Sequence, residues 1–176
     1  MTLDISDVFS LENKEVTRKV HIDMETFQSR QGEFPIQSGE PFDLQIVNVE
    51  GKRLQLSGET RVTVQIPCDR CLQEVTHNIS IEIEKEVPIK TDDTQQTEDD
   101  DEAEAYIEDG ILDVDRLVYN EILVNWPAKI LCKSDCKGIC PKCGTNLNLT
   151  TCDCEQGELD PRMAQFQDVF NKFKEV

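Results

Sequence analysis

Cysteine spacing is the feature that most constrains this chain. Six of its eight cysteines lie between residues 132 and 154, and the other two form Cys68-Asp69-Arg70-Cys71 far upstream. Thiolates bind zinc tightly, and C-x2-C is a recurrent chelating turn. The run Cys140-Pro141-Lys142-Cys143-Gly144 has the form of a zinc knuckle, in which glycine supplies the positive φ that folds the backbone under the metal. We therefore expect the chain to fold around bound metal.

The expected compartment favours metal ligation over disulfides. The first thirty residues lack the apolar region of a signal peptide, and no run approaches the roughly 18 apolar residues of a membrane span. We therefore expect a cytoplasmic protein without a membrane segment, where thiols stay reduced. The hydrophobic fraction of 38% predicts a modest core, which metal binding would supplement.

The negative charge is concentrated in one segment. The formal net charge is −18, and residues 91–109 hold ten acidic and no basic residues. From residue 129 onward, seven basic and seven acidic residues balance each other. A chain this acidic gains little from binding a phosphate backbone, so its composition favours basic protein partners over extensive contact with nucleic acid. The simpler alternative is that residues 91–109 are only a solvated, disordered loop.

Residues 42–89 alternate between apolar and polar positions. Such alternation predicts antiparallel strands with one buried and one wet face. A turn is expected at Glu50-Gly51, Ser57-Gly58 should separate two alternating runs, and Cys68 to Cys71 should lie near the tip of a hairpin. A further strand is predicted over Thr17–Asp23, with Val20 and Ile22 on one face. The alternating apolar positions are Phe42, Leu44, Ile46, Leu54, Leu56, Val62, Val64, Ile66, Ile79, Ile81 and Ile83.

Two helices complete the predicted fold. Asp113 has the character of an N-cap for a helix over about 113–125, which should end at Trp126-Pro127 because the residue before proline disfavours helix. Asp160-Pro161 should start a second helix, with an apolar stripe of Met163, Phe166, Phe170 and Phe173. We predict an α+β fold: an antiparallel sheet of about five to seven strands, a few helices and a C-terminal cysteine-rich zinc-binding segment. Residues 1–128 would form the sheet domain with its acidic loop, and residues 129–176 the zinc segment and last helix, packed on the same domain.

All eight cysteines are candidate metal ligands, and they suffice for two structural zinc ions with four thiolates each. We favour one partition among three. In it Cys140, Cys143, Cys152 and Cys154 form a local site, while Cys68 and Cys71 recruit Cys132 and Cys136. The second partition joins the two C-x2-C pairs, and the third places two zinc ions on the six clustered cysteines through shared thiolates. A single zinc with four spare thiols is also compatible with the spacing.

Enzymatic chemistry has little support in the sequence. A catalytic zinc keeps an open position and often uses histidine or carboxylate, yet His21 and His77 lack ligand spacing to the cysteines. The sequence contains no glycine-rich phosphate loop, no G-x-S-x-G and no H-E-x-x-H. A redox dithiol at Cys68 and Cys71, with Arg70 favouring a thiolate, is the alternative. Thioredoxin-like motifs, however, lie between a strand and a helix, whereas this one is flanked by two predicted strands.

The order of motifs resembles the YceD family, in the cysteine-rich form found in Gram-positive bacteria. The resemblance rests on C-D-R-C-L at residues 68–72, Trp126-Pro127, C-K-G-I-C-P-K-C-G-T-N-L-N from Cys136 followed by C-x-C, and Asp160-Pro161-Arg162. It implies a role in accumulation of 23S ribosomal RNA and assembly of the large ribosomal subunit, with no established enzymatic activity. Its implied partners are a ribosomal protein or a precursor of the large subunit.

Two modes of action fit that role. The acidic segment and the sheet surface could bind a basic ribosomal protein, which would make the chain an adaptor or chaperone. Alternatively, lysines spaced along the cysteine segment could contact ribosomal RNA directly; they are Lys129, Lys133, Lys137 and Lys142. The sequence indicates no small-molecule substrate.

Overall fold

One long hairpin lies at the centre of the strand pairing in the structure. The computed structural model describes residues 1–89 and 106–154. The strands in these residues are β1 Thr2–Asp4, β2 Glu15–Val20, β3 Thr26–Ser29, β4 Gly32–Gly39, β5 Phe42–Val49, β6 Arg53–Pro67, β7 Glu74–Pro88, β8 Ile107–Glu108 and β9 Ile111–Asp113, and the helices are α1 Ser6–Phe9 and α2 Val114–Val124. The hairpin consists of β6 and β7, which pair along all 15 residues of each strand.

Six strands form an antiparallel sheet around β6, which confirms the predicted fold class. On one side β6 pairs with β7, and on the other it pairs first with β5 and then with β4. Strand β2 lies outside β5, and β3 lies outside β4. The strand predicted over Thr17–Asp23 is β2, which starts at Glu15 and ends at Val20.

The predicted break at Ser57-Gly58 is wrong, since both residues lie inside β6. A Cβ on Gly58 would come within 3.0 Å of the Asp43 carbonyl oxygen and 3.2 Å of the Phe42 ring. Glycine at this position therefore allows β5 to approach β6 closely, and such close approach is a common reason for glycine within a strand. The turn predicted at Glu50-Gly51 is present, with φ of 56° and 68° at the two residues.

The apolar positions of the alternating strands form one continuous core. Leu44, Ile46, Leu54 and Leu56 are fully buried there, and complete burial of one such side chain contributes about 1.5–3 kcal/mol to folding. The opposite face of the strands carries mainly polar and charged residues. The period-two pattern therefore identified the buried face correctly.

Helix α2 closes the core on one face of the sheet. The Asp113 side chain accepts a hydrogen bond from the Arg116 N–H at 3.2 Å, so the predicted N-cap is confirmed. The helix ends at Val124, before Trp126-Pro127. Trp126 packs on Phe27 of β3, with ring centroids 4.8 Å apart. This aromatic contact joins the end of the helix to the β3–β4 hairpin.

Tyr106 and Ile107 belong to the fold, since Tyr106 is buried and Ile107 starts β8. Strands β8 and β9 form a small sheet with β1. Residues 91–105 of the predicted acidic loop and the helix predicted from Asp160 lie outside the described residues. Within the described residues, no helix combines the length and the hydropathy needed to cross a bilayer.

An ion pair with a buried carboxylate links α2 to the sheet. The Lys85 Nζ lies 2.8 Å from the Glu121 Oε1, and the Glu121 side chain is only 5% exposed. Removing a carboxylate from water is costly unless a partner compensates its charge. Lys85 supplies that compensating charge for Glu121.

Candidate metal centres

The tip of the β6–β7 hairpin presents Cys68 and Cys71 on one tight turn. The Cys68 N–H donates to the Gln73 carbonyl at 2.8 Å, and the Leu72 N–H donates to the Cys68 carbonyl at 2.9 Å. These bonds fold the turn so that both thiols point inward and are buried. Two strands flank the motif, as the sequence predicted, and the dithiol therefore lacks the strand–helix setting of thioredoxin-like sites.

The segment after α2 adds two thiols to this turn. The Sγ atoms of Cys68, Cys71, Cys132 and Cys136 all lie within 4.8 Å of one another. Cys68 and Cys136 approach to 3.8 Å, and Cys71 and Cys132 to 3.5 Å. These distances exceed a disulfide bond, which is about 2.05 Å. They match the edge of about 3.8 Å that follows from a tetrahedron with Zn–S bonds of about 2.3 Å. We name this group the hairpin site.

Hydrogen bonds clamp the cysteine segment onto the hairpin turn. Asp69 and Ile130 exchange two of them: the Asp69 N–H donates to the Ile130 carbonyl at 2.9 Å, and the Ile130 N–H donates to the Asp69 Oδ2 at 2.7 Å. The Arg70 Nη1 donates to the Cys136 carbonyl at 2.8 Å, and the Arg70 carbonyl accepts from the Ile139 N–H at 3.1 Å. The two central residues of C-D-R-C thus position the segment that brings the second pair of thiols.

The remaining four cysteines form a second group, which we name the knuckle site. The Sγ atoms of Cys140, Cys143, Cys152 and Cys154 also lie within 4.8 Å of one another. The Gly144 N–H donates to the Cys140 carbonyl at 2.9 Å, and Gly144 has a φ of +75°. The glycine therefore adopts the left-handed conformation predicted for a knuckle.

Asn148 connects the two sites, and sequence spacing did not identify it. Its Nδ2 donates to the Cys136 Sγ at 3.3 Å, while its Oδ1 accepts from the Lys137 N–H at 2.9 Å. Asn148 lies between Cys143 and Cys152 in the chain, so a residue of the knuckle loop contacts a thiol of the hairpin site. A hydrogen bond from outside the ligand set orients the ligand and stabilises its thiolate form. Asn148 belongs to no metal-binding spacing, so only the folded structure reveals it.

The hairpin site holds thiols whose pKa values are driven apart. Burial raises the pKa of Cys68, but the N–H groups of Arg70, Cys71 and Cys132 outweigh it and lower the value to about 6. Burial and the three neighbouring thiols raise the pKa of Cys132 to about 12. The first thiolate therefore forms readily and opposes the formation of the others.

The knuckle site repeats this arrangement. Hydrogen bonds with the Thr145 hydroxyl and N–H lower the pKa of Cys143 to about 6. Interaction with the Cys143 thiol, followed by burial, raises the pKa of Cys154 to about 12. Four thiolates can coexist at either site only if a cation compensates their charge, and a divalent metal does so.

The structure groups the cysteines as in the favoured partition. The two groups of four cysteines are separate. The alternatives that pair the C-x2-C motifs, or that share thiolates among six cysteines, do not match this geometry. Neither group includes a histidine or carboxylate from the described residues. His21 instead lies 3.0 Å from the Asp23 carboxylate. Each group could hold a metal ion, and the all-thiolate donor set suits zinc.

The profile of the family described as "Large ribosomal RNA subunit accumulation protein YceD" matches residues 56–170, which is more than half of the chain. This range contains both cysteine groups and all of the β6–β7 hairpin except the first three residues of β6. No solved structure matches the chain.

Several individual proteins are similar over part of their length. An uncharacterized protein YlbN of Bacillus subtilis is 32% identical over 120 residues, covering 66% of this chain and 64% of the relative. The chloroplastic "Large ribosomal RNA subunit accumulation protein YCED homolog 1" of Arabidopsis thaliana is 28% identical, covering 62% of this chain and 42% of the relative. An uncharacterized protein of Mycobacterium leprae is 29% identical, covering 60% and 48%. The chain thus spans about half the length of the Arabidopsis and Mycobacterium relatives.

Proposed function

Because the chain belongs to the YceD family of large ribosomal RNA subunit accumulation proteins, we propose that it promotes accumulation of 23S ribosomal RNA and assembly of the large ribosomal subunit without catalysing a reaction. The observation that supports a non-enzymatic role is the closed donor set. Each candidate metal site offers four thiols, which fill the coordination of a structural zinc and leave no position for substrate.

Two zinc ions in this proposal act as structural supports. At the hairpin site, zinc would join the tip of the longest hairpin to the segment after α2. At the knuckle site, zinc would fold residues 140–154, which contain no helix or regular strand and in which Asn146 forms an isolated bridge to Ile139. Such a segment buries little apolar surface, so metal binding would contribute most of its folding free energy.

Contact with a basic protein is the mode of action that the charge supports best. The net charge of −18 opposes binding along a phosphate backbone and favours a basic surface. Ribosomal proteins that bind RNA are basic, and an acidic factor can hold one of them before it reaches the RNA. In this proposal the chain works in the cytoplasm as an adaptor for such a protein.

Deletion of the gene tests the proposal directly. We expect a lower ratio of 23S to 16S ribosomal RNA and fewer mature large subunits, measured by RNA quantification and sucrose gradients. Wild-type protein should restore both, whereas Cys68→Ser/Cys71→Ser should restore neither. An unchanged ratio in the deletion strain would contradict the proposed function. Native mass spectrometry of the purified protein should show two zinc ions.

Direct contact with ribosomal RNA is a second candidate, supported by one observation. Lys129, Lys133, Lys137 and Lys142 are all exposed around the two cysteine groups. Leu72 and Leu149, two exposed apolar side chains, belong to the same part of the fold. This candidate predicts that a 23S fragment binds with an affinity that falls steeply with salt, and that Lys133→Ala/Lys137→Ala weakens it.

A further inference from the structure

Strand β7 has an outer edge whose backbone groups can be assigned from the register. The Ile89 N–H donates to the Lys52 carbonyl, and the Cys68 N–H donates to the Gln73 carbonyl, both at 2.8 Å. Both contacts continue the β6–β7 register at its two ends. In an antiparallel ladder, hydrogen-bonded pairs alternate with non-bonded pairs. The odd-numbered residues of β7 therefore turn their N–H and C=O groups toward β6, and the even-numbered residues turn theirs away.

The outward-facing groups extend along most of the strand. In the described part of the chain, β7 pairs with no strand other than β6. Pro88 is at an even-numbered position, where the N–H that proline lacks is not needed by the ladder. Thr76, Asn78, Ser80, Glu82, Glu84 and Glu86 thus present backbone donors and acceptors to whatever lies beside β7. A row of such groups can pair with an added strand.

The same residues make this edge acidic. The residues whose backbone groups face outward are the even-numbered ones, and these also carry the exposed polar side chains. The glutamates among them therefore lie next to the open edge. Glu86 is paired with Arg53 at 2.8 Å, whereas Glu82 and Glu84 have no cation within 4 Å among the described residues. Glu59 faces Glu82 from β6 and adds to the negative charge.

A groove next to this edge gives an incoming segment room. It has a volume of about 720 Å³ and lies between α2 and the strands, lined in part by Ser80, Glu82, Glu84 and Val124. Val124 is 74% exposed and offers an apolar contact at the end of the helix.

We propose that the outer edge of β7 binds an extended, lysine- or arginine-rich polypeptide segment, which joins the sheet as a further strand. Outward N–H and C=O groups would pair with its backbone, and Glu82 and Glu84 would face its basic side chains. A second copy of this chain fits poorly, because the glutamates of two such edges would repel each other. This proposal rests on the proposed function, for which it specifies how a basic partner binds.

Amide exchange separates strand addition from general attraction between charges. The probe is a synthetic peptide of alternating lysine and threonine, added to ¹⁵N-labelled, zinc-loaded protein. We expect slower exchange at the N–H groups of Ser80, Glu82 and Glu84 and no change at Ile79 and Ile81, which already bond to β6. The same peptide with N-methyl groups on every second residue keeps its charge but cannot complete the ladder, so it should bind more weakly.

Two pairs of variants separate the backbone from the charge. Ser80→Pro removes one outward N–H without changing charge, and we expect about three- to tenfold weaker peptide binding. Ser80→Ala keeps that N–H and should bind as wild type does; equal melting temperatures would show that Ser80→Pro still folds. Glu82→Lys/Glu84→Lys should bind about tenfold more weakly. Glu25→Lys/Glu33→Lys makes the same charge change at exposed residues on the other side of β6 and should have a small effect.

The outcomes distinguish this proposal from the proposed function. A peptide that binds without slowing the Ser80, Glu82 and Glu84 amides would overturn the edge as the site, while the chain could still act as a ribosome assembly factor. Equal binding of the N-methylated peptide, or no binding of either peptide, would also overturn it. A deletion strain with normal 23S ribosomal RNA would instead overturn the proposed function.

Discussion

The Asn148 Nδ2 lies 3.3 Å from the Cys136 Sγ, so a side chain of the knuckle loop donates a hydrogen bond to a thiol of the hairpin site. Burial raises the pKa of Cys136, but this donor, together with the Gly138 N–H, outweighs it and lowers the pKa below 9.0. The two candidate metal sites are therefore linked through one residue. Folding of the knuckle loop places this donor against the hairpin site.

Asn148→Ala should weaken zinc binding at the hairpin site. Loss of a hydrogen bond to a metal-ligating group typically reduces metal affinity by about 10- to 100-fold. Competition with a chromophoric chelator measures the two affinities separately if they differ. Asn78→Ala is the control, since Asn78 bonds to Thr63 on β6 and contacts neither site. Equal zinc affinities for Asn148→Ala and wild type would show that the donor has no effect.

Zinc binding should release at least two protons per site at pH 7. At the hairpin site the pKa of Cys132 is raised to about 12. The Gln73 N–H lowers the pKa of Cys71, but burial and the thiols of Cys68 and Cys136 outweigh it and raise that pKa. Both thiols are thus protonated at pH 7 and must lose their protons to bind metal. Between about pH 9 and pH 7, zinc affinity should therefore fall by about a hundredfold for each pH unit of acidification. Calorimetry in buffers of different ionisation enthalpy counts the protons, and fewer than two would contradict the assignment.

Chelation of zinc should loosen the cysteine segment and leave the sheet folded. Strands β6 and β7 have their own apolar core, whereas residues 129–154 bury few large side chains. Hydrogen exchange should accelerate by more than about tenfold in residues 129–154, with the central amides of β7 unchanged. Readdition of zinc should restore protection. Exchange that accelerates equally throughout β6 and β7 would show that metal supports the whole fold.

Lys85→Met should destabilise the protein by leaving the Glu121 carboxylate buried without its cation. Breaking a fully buried pair costs about 3–5 kcal/mol, and the 37% exposure of the Lys85 side chain reduces our expectation to about 2 kcal/mol. Urea denaturation measures the change. Lys52→Met, at an exposed pair with Glu50, should cost less than about 1 kcal/mol. The double variant Lys85→Met/Glu121→Leu should recover most of the loss; if it does not, the charge left behind is not the cause.

Deletion of residues 92–105 should weaken capture of a basic ribosomal protein. The deletion removes eight acidic side chains, and the expected loss is largest at low ionic strength, where charges are least screened. The matched control replaces the segment with glycine and serine of equal length, which separates charge from chain length. Both variants should lose capture to the same extent in a pull-down. Unchanged capture by both would show that the acidic segment is only a solvated loop.

Local patterns in the sequence were sufficient to predict much of this fold. Alternation depends on burial of one strand face, so it identified Leu44, Ile46 and their neighbours as core. The Asp113 cap and the Trp126-Pro127 helix end depend on residues adjacent in the chain. The grouping of the cysteines could be predicted because two cysteines in a C-x2-C turn ligate the same metal. A hairpin tip can also reach a segment that is distant in the chain.

Contacts between distant segments could not be predicted in this way. In the sequence Gly58 looks like a break between strands, but in the fold its missing Cβ leaves room for the Phe42 ring. The pairing of β5 with β6 creates that contact, and the local sequence does not show it. Asn148 and Asp69 acquire their roles when the cysteine segment folds against the hairpin, and no spacing rule records that placement. The pairing of β6 with both β5 and β4 likewise depends on the three-dimensional order of the strands.

The separation of Cys71 from Cys132 in the chain has a consequence for synthesis. These thiols lie 61 residues apart, and a metal that joins them closes a loop of that length. Cross-linking such a loop lowers the entropy of the unfolded chain by an amount worth about 4 kcal/mol, by analogy with a disulfide. During translation the hairpin emerges first, and its thiols, Cys68 and Cys71, are made before Cys132 and Cys136. If zinc binds as proposed, all four thiols can ligate it only after Cys136 has left the ribosome. Metal binding would then require that the hairpin and the cysteine segment have both been synthesised and have come into contact.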